Sequence, residues 1–277
     1  MTPGIFPRRQ SSGPNCLRST GLALAAAVVF AAPAVASSQH RAPRAVIVQN
    51  FHRTLPLPAG GVFSLMNVNG SVAVEGWSRD EVQISAIATA PRDAAERSGV
   101  KIDVQAQPGA VTVRTIYPQG EGVDVSVEFR VRVPRRVILA GVVTVNGSVR
   151  VRGVEGAGDL RTVNGNVEMF DGAGRFEARS TNGNIYMELR RLGDAGESEA
   201  ATLETVNGTV VLSLPAETDS DLEIHSLNGD FSSELPVERR ASSGGRELRC
   251  RLGAGGSPLR IRTMNGAVRL LMARPLV

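Results

Sequence analysis

The sequence predicts an all-β protein whose main part is a β-solenoid, a parallel β-helix-like stack of short rungs, preceded by an N-terminal antiparallel β portion. Three observations support this prediction. An Asn-Gly pair recurs along the chain, the residues on both sides of each pair alternate between apolar and polar, and two consecutive intervals between pairs are equal in length. A fixed short period is typical of stacked architectures, in which like side chains lie above one another.

The Asn-Gly pairs mark the corners of the predicted rungs. They are Asn69-Gly70, Asn146-Gly147, Asn164-Gly165, Asn182-Gly183, Asn207-Gly208, Asn228-Gly229 and Asn265-Gly266. A tight corner needs a positive backbone φ, which glycine adopts without penalty and asparagine tolerates better than most residues. We therefore assign all of these residues a structural role as turns.

The residues around each pair form columns that the rungs share. The fourth residue before each Asn is apolar: Leu65, Val142, Leu160, Ala178, Leu203, Ile224 and Ile261. The third residue after it is large and apolar: Val72, Val149, Val167, Ile185, Val210, Phe231 and Val268. The second residue before it is small and polar: Asn67, Thr144, Thr162, Ser180, Thr205, Ser226 and Thr263. Because side chains alternate along a strand, the apolar columns are predicted to face a shared core.

Two geometries are open for the Asn-Gly pairs. A pair between alternating apolar runs is a strong signal for a β-hairpin, which would build a sandwich. It also suits the bend between consecutive strands of a solenoid rung. The equal intervals from Asn146 to Asn164 and from Asn164 to Asn182 favour the solenoid. The later intervals are longer and unequal, and they are interpreted as rungs with inserted loops, the last of them long enough to hold a degenerate rung.

Four segments are predicted along the chain. Residues 1–36 are a signal peptide, 37–58 a polar lead-in, 59–136 an N-terminal β portion with the first Asn-Gly unit, and 137–277 the repeat β-solenoid. Within the N-terminal β portion, alternating patterns predict strands at 81–88, 100–107, 110–117 and 123–133. Residues 91–98 are the one stretch with helical character.

The signal peptide prediction rests on three features of segment 1–36. A positive leader containing Arg8, Arg9 and Arg18 is followed by an apolar run from 21 to 32, and Ala34-Val35-Ala36 offers a cleavage site before Ser37. This arrangement is typical of secretory signals. It predicts an exported protein of the periplasm or cell surface, and no later segment is apolar for long enough to cross a membrane.

Charge and cysteine content exclude some classes of function. The whole chain has 31 − 27 = +4 charges, and removal of the three leader arginines leaves 28 − 27 = +1. No basic face interleaved with stacking aromatics is evident, so we predict no nucleic-acid partner. Without Cys16 in the leader, Cys250 is the remaining cysteine, which excludes an internal disulfide and suggests a buried, inert thiol.

The sequence offers no pattern for catalysis or for a cofactor. The histidines His40, His52 and His225 are scattered and do not form a metal-ligand pattern, so no metal is predicted. Sequence motifs for a nucleophile elbow, a phosphate loop or a dinucleotide site are absent from the chain. We therefore expect no catalytic residues, no cofactor and no metal.

Three features have both a structural and a functional interpretation. The outward residues Arg150, Arg161, Arg179 and Arg269 could form a substrate-binding stripe, or they could keep strand faces from aggregating. Trp77 could cap the core or serve as a platform for a sugar. The asparagine column could bind a ligand, or its amides could form a hydrogen-bonded ladder along the corner. We favour the structural interpretation of each.

The units NVNGSVAVEGW and V-x-T-V-N-G-x-V-x-V, with VRVPRRV between them, resemble the bacterial putative-adhesin, or toast-rack, family over about residues 60–272. The resemblance implies an envelope-located β-solenoid-like domain without catalytic residues. Membrane-anchored members have helices that this chain lacks beyond its leader.

These observations predict an exported, non-enzymatic envelope protein that acts as a binding or structural scaffold. Its partner would be an envelope protein or a glycan. Two alternatives are a polysaccharide-active β-helix enzyme and an accessory to envelope-stress sensing.

Overall fold

Twenty β-strands run through the residues that the computed structural model describes, which are 45–92, 99–117, 125–193, 199–243 and 247–273. The strands are β1 (Ala45–Pro56), β2 (Val62–Met66), β3 (Val72–Trp77), β4 (Glu81–Pro91), β5 (Lys101–Gln107), β6 (Ala110–Ile116), β7 (Ser126–Pro134), β8 (Arg136–Asn146), β9 (Val149–Arg152), β10 (Glu155–Asn164), β11 (Val167–Asn182), β12 (Ile185–Leu192), β13 (Ala201–Asn207), β14 (Val210–Leu214), β15 (Ser220–Asn228), β16 (Phe231–Ser233), β17 (Val237–Ser243), β18 (Glu247–Leu252), β19 (Ser257–Asn265) and β20 (Val268–Met272). The predicted signal peptide at 1–36 and residues 93–98 of the predicted helical stretch lie outside the described residues.

The strands form two parallel arrays that meet at the Asn-Gly corners. The leading array contains the strands before each corner and pairs in the order β2, β8, β10, β11, β13, β19 and β15. The trailing array contains the strands after each corner and pairs in the order β3, β9, β11, β12, β14, β20 and β16. The long strand β11 contributes to both arrays. Parallel pairing in register confirms the β-solenoid and excludes the hairpin-built sandwich.

The order of rungs in space differs from their order in the chain. The unit of β19 and β20, which is last in the chain, inserts between the unit of β13 and β14 and the unit of β15 and β16. The predicted degenerate rung between Asn228 and Asn265 is wrong, because β17 and β18 form an antiparallel hairpin there. A rung without an Asn-Gly pair occurs earlier instead, where β6 and β7 run parallel to β2 and β3.

Antiparallel strands extend both ends of the stack. At one end, β4 pairs with β7 and β1 with β4 in the trailing array, while β5 pairs with β6 in the leading array. At the other end, β18 pairs with β15 and β17 with β18. These strands cover edges that a parallel stack would otherwise expose to other chains. In the described residues no helix is long and apolar enough to cross a membrane.

The core lies between the two arrays and is made of the predicted apolar columns. Every residue four positions before an Asn is buried, as is every residue three positions after it except Phe231, which is partly buried. Complete burial of a Val, Leu or Ile side chain stabilises a fold by about 1.5–3 kcal/mol. The stacked columns therefore act as the main source of stability, and Phe63, Phe129 and Phe176 are the largest side chains that they enclose completely.

A polar cluster replaces the Asn-Gly contact where the first Asn-Gly unit meets the rung that lacks one. The Tyr117 hydroxyl donates to Asn67 Oδ1 (3.1 Å) and accepts from the backbone N–H of Asn69 (3.1 Å). The buried Asn67 amide donates to the carbonyl of Val127 at 2.9 Å. Burial raises the pKa of the Tyr117 phenol above its ordinary value. The hydroxyl is therefore protonated, and able to donate, at neutral pH.

Replacing Tyr117 tests this cluster. We expect Tyr117→Phe to lower the free energy of unfolding by about 1–2 kcal/mol, because it leaves a buried acceptor on Asn67 without its donor. The matched control is Tyr186→Phe, since the Tyr186 hydroxyl contacts Glu188 on an outward face. This change should lower the free energy of unfolding by less than about 0.5 kcal/mol. Urea unfolding of both variants gives the comparison. Equal losses would show that the cluster does not support the end of the stack.

Candidate functional site

All of the Asn-Gly pairs lie in one row along the stack. Each Asn pairs with the Asn of the neighbouring rung, in the spatial order Asn69, Asn146, Asn164, Asn182, Asn207, Asn265 and Asn228. The structure thus brings together every predicted turn residue, although the first and last corners of the row are far apart in the sequence. This row is the corner at which the leading array turns into the trailing array.

The asparagine side chains form an unbroken amide ladder along this corner. The Nδ2 group of each Asn donates to Oδ1 of the Asn in the previous rung, at 2.8 Å from Asn146 to Asn69 and 2.8 Å from Asn164 to Asn146. The remaining bonds, at 2.8–3.0 Å, join Asn182 to Asn164, Asn207 to Asn182, Asn265 to Asn207 and Asn228 to Asn265. Each interior amide is therefore both donor and acceptor within the row, which leaves few groups for a ligand.

The glycines are required by close contact between rungs. A Cβ on Gly183 would lie 1.9 Å from the carbonyl oxygen of Gly165, and one on Gly208 would lie 2.1 Å from that of Gly183. Each corner glycine from Gly70 to Gly208, like Gly266, also donates its N–H to an Asn carbonyl of the adjacent rung, as Gly165 does to Asn182 at 3.0 Å. The explanation from positive φ is wrong for Gly147, Gly183, Gly208 and Gly229, whose φ lies outside the left-handed region, and for every asparagine of the row.

Left-handed backbone also occurs at the opposite corner, where the trailing array returns to the leading one. Gly153 has a φ of 65° and Asp171, which occupies the equivalent position of the next rung, has a φ of 57°. Asp171 is the one non-glycine residue with positive φ in the described part of the chain. Asp tolerates this conformation better than most residues, and its carboxylate forms an ion pair with Arg190.

The small polar column before each corner has a role that the sequence analysis missed. The hydroxyl of Thr162 donates to the carbonyl of Gly147 at 2.8 Å, and that of Ser180 donates to the carbonyl of Gly165 at 2.9 Å. Thr144, Thr205 and Thr263 repeat the contact at 2.9–3.2 Å. These hydroxyls satisfy glycine carbonyls, and an unpaired buried carbonyl is costly. The small polar residue two positions before each Asn was the sequence signal from which this role could have been inferred.

The outward arginines singled out in the sequence do not form one stripe. Arg161 and Arg179 lie on the leading array, whereas Arg150 and Arg269 lie on the trailing array. Three of them form ion pairs: Arg161 with Asp159 at 2.7 Å, Arg150 with Glu168 at 2.7 Å, and Arg179 with Glu204 at 2.9 Å. Their placement therefore contradicts the idea of a single substrate-binding row.

Antiparallel pairing of β15 and β18 brings together a cluster that the sequence did not predict. The ligand atoms of Glu223, His225 and Glu247 lie within 4.8 Å of one another. The hydrogen bond from His225 (2.9 Å), aided by Arg260, holds the pKa of Glu223 below its ordinary value. Arg260 also contacts Glu223 at 3.2 Å and Arg249 contacts Glu247 at 2.9 Å. Because an arginine side chain contacts each of the two carboxylates, the cluster belongs to a network of ion pairs.

The contacts of Trp77 and Cys250 indicate structural roles for both side chains. The Trp77 indole donates to the carbonyl of Glu81 at 2.8 Å, and the guanidinium groups of Arg79 and Arg132 lie 5.0 and 5.9 Å from its ring centroid. The ring is thereby engaged by cations. Cys250 is buried in the core, and burial raises the pKa of its thiol, which makes it unreactive.

Arginines surround a hollow on the outer face of the trailing array. Arg130 and Arg132 of β7 lie on one side of β3, and Arg150 and Arg152 of β9 lie on the other. Between them the outward positions of β3 present only the small Ala73 and the carboxylate of Glu75, which leaves a hollow of about 510 Å³. We name this feature the arginine hollow. Its floor and walls combine four arginines with two glutamates, a balance of 4 − 2 = +2.

A prediction follows from the contact between corner glycines. We expect Gly183→Ala to lower the free energy of unfolding by about 2–3 kcal/mol, because its methyl group would overlap the carbonyl of Gly165. The control is Gly109→Ala: Gly109 has a φ of 76° and nothing within 4 Å of a built Cβ. Gly109→Ala should lower the free energy of unfolding by about 1 kcal/mol, which is the cost of placing alanine at a positive φ. Thermal unfolding distinguishes the two, and a smaller loss for Gly183→Ala would refute the contact argument.

The hydroxyl column gives a second prediction. Thr162→Val keeps the shape of the side chain and removes the donor to Gly147, so we expect a loss of about 1 kcal/mol in the free energy of unfolding. Thr181→Val is the control, since Thr181 is exposed on a neighbouring strand, and it should change stability by less than about 0.5 kcal/mol. Urea titration of both variants measures the difference. A neutral Thr162→Val would mean that the hydroxyl column is dispensable.

Comparisons with known proteins place the chain in a family. The solved structures that resemble it include a putative cell adhesion protein from Clostridium sporogenes (9% identity, TM-score 0.38, 81% of this chain and 100% of that one), a putative adhesin from Bacteroides fragilis (12%, 0.33, 81% and 97%) and a putative lipid binding protein from Parabacteroides distasonis (8%, 0.24, 82% and 97%). A search of curated proteins finds no match. The family model described as Toastrack DUF4097 matches residues 95–271, more than half of the chain, so this protein belongs to the Toastrack family.

Proposed function

We propose that this protein is an exported, non-enzymatic scaffold of the cell envelope that presents its outward β faces to a partner. The observation that carries the proposal is the continuous ladder at the Asn-Gly corner. The hydrogen bonds between its side-chain amides, together with the glycine N–H and hydroxyl contacts, join every Asn-Gly rung in one register. Such a stack holds outward side chains on a firm support, as a binding scaffold requires.

The distribution of charged groups supports binding over catalysis. On the leading array, carboxylates and arginines neutralise each other across strands, as Glu204 does with Arg179 and Arg262. A polysaccharide-active enzyme would need carboxylates gathered around one groove with separated pKa values. The pKa of the Glu223 carboxyl lies below its ordinary value, chiefly because of its hydrogen bond with His225, with Arg260 contributing. A lowered pKa suits an ion pair and opposes a role as a general acid.

Export is supported by the sequence of segment 1–36. The leader has the charge, apolar run and small residues of a secretory signal. The family resemblance to envelope-located domains agrees with the same destination.

Cell fractionation with N-terminal sequencing tests the export part of the proposal. We expect the full chain, expressed in a bacterium, to appear in the envelope or medium with Ser37 as its first residue, because Ala34 and Ala36 form the cleavage site. The control variant Ala34→Phe/Ala36→Phe should keep the leader, since cleavage needs small residues at both positions. Recovery of the unchanged chain in the cytoplasm, starting at Met1, would overturn the proposal.

Cross-linking in intact cells tests the scaffold part. The exported chain should form defined adducts with an envelope protein or a glycan, and it should leave envelope polysaccharides uncleaved. Release of shorter glycan fragments by the purified protein would favour the enzyme instead. A captured membrane signalling protein would favour the accessory role in stress sensing.

A further inference from the structure

We propose that the arginine hollow binds an anionic polysaccharide, a glycan strand that carries carboxylate, sulfate or phosphate groups. This inference rests on the proposed function, because it assigns a partner class to the envelope scaffold. The ligand would lie across β7, β3 and β9, with its anionic groups over the arginines and its sugar rings over the low surface at Ala73.

The register of three strands builds the hollow. Arg130 pairs with Ala73, which in turn pairs with Arg150, so these residues form one row across the strands. Arg132, Glu75 and Arg152 form the adjacent row. Neighbouring strands are about 4.8 Å apart, which places β7 and β9 about 10 Å apart. A single methyl group on Ala73 between two long arginines leaves a gap that a sugar ring can enter.

The ion pairs within the hollow leave positive charge available. Arg132 contacts Glu75 at 3.4 Å, and Arg150 contacts Glu168 at 2.7 Å. Arg130 and Arg152 form no ion pair with any group in the described residues, and the Arg152 guanidinium lies 5.2 Å from the Phe170 ring centroid. All of these arginines are exposed. An anion would therefore meet at least two guanidinium groups that do not have to break an existing pair.

The neutral polar neighbours favour a glycan among polyanions. Asn50, Gln83 and Ser85 line the same hollow and can form hydrogen bonds with sugar hydroxyls. Single-stranded nucleic acid needs open aromatic faces on which bases stack, and here Arg132 lies against Trp77 and Arg152 against Phe170. Membrane binding needs several exposed apolar side chains, and Ile87 is the one exposed large apolar residue in the lining.

Affinity chromatography with matched variants tests the site. The full chain is applied to immobilised polygalacturonate, dextran sulfate and neutral dextran, and the salt dependence of binding is measured. We expect binding to both anionic glycans and none to neutral dextran. The variant Arg130→Gln/Arg152→Gln should bind about tenfold more weakly, and its slope of log affinity against log salt should fall by about two, since each arginine contact releases about one counterion.

The control variant is Arg175→Gln/Arg269→Gln, which removes the same charge from exposed positions outside the hollow. It should bind within about twofold of the unchanged chain, which a general charge effect would not allow. Equal weakening by both variants would overturn the proposal, as would retention on neutral dextran. Urea midpoints of all three chains, equal within error, show that the variants are folded.

Two further ligands complete the test. Stronger binding to mixed-sequence single-stranded DNA, or to phosphatidylserine vesicles, than to the anionic glycans would overturn the assignment of the site to a glycan. Preference between polygalacturonate and dextran sulfate identifies the anionic group. If no glycan binds while the exported chain still forms envelope adducts, the hollow is refuted and the scaffold function stands. A chain that stays in the cytoplasm refutes the scaffold function independently of the hollow.

Discussion

The close approach of successive rungs at the corner glycines is the contact on which the rest of the structure depends. With 1.9 Å between a built Cβ on Gly266 and the carbonyl of Gly208, the two backbones meet with no room for a side chain. This approach brings neighbouring asparagine amides to hydrogen-bond distance and places each hydroxyl against a glycine carbonyl. Because strand side chains alternate with a period of two, a slip of one residue would turn the apolar columns outward. The corner therefore sets the register of both arrays together.

The fold class could be predicted from the sequence because every corner repeats the same local pattern. The order of the rungs could not, because equivalent corners can stack on one another in any order. The hairpin of β17 and β18 explains the observed order: β18 occupies one edge of β15, so the last unit of the chain takes the other edge and separates Asn207 from Asn228. The role of the glycines was misjudged for a related reason. A local φ argument considers one corner alone, whereas the constraint acts between two rungs.

The arginine hollow was partly visible in the sequence and was missed for a topological reason. Each of its two outer strands carries an Arg-x-Arg pattern, at 130–132 and at 150–152, which places both arginines of a strand on one face. What joins them is Ala73, which belongs to the first Asn-Gly unit and lies far from either pattern in the sequence. The strand β7 belongs to the rung without an Asn-Gly pair, so no motif indicated its register against β3. A charge pattern shows which residues share a face only after the neighbouring strands are known.

The two outward faces of the stack differ in how their charges are compensated, and this difference locates the candidate site. The corner contacts and the core use only inward or corner residues, so the outward columns can change without loss of the register. On the leading array the outward residues form ion pairs across strands, as Glu204 does with Arg179 and Arg262. On the trailing array, Arg130 and Arg150 are separated by Ala73 where a carboxylate could have stood. Arg150 pairs with Glu168 there, but Arg130 and Arg152 have no ion-pair partner among the described residues. A face on which carboxylates and arginines pair offers little net charge to a charged partner. A row in which a small neutral residue takes the place of a carboxylate keeps a positive electrostatic potential. The asparagine ladder thus supplies a fixed frame, and the pattern of the outward columns decides where that frame can attract an anion.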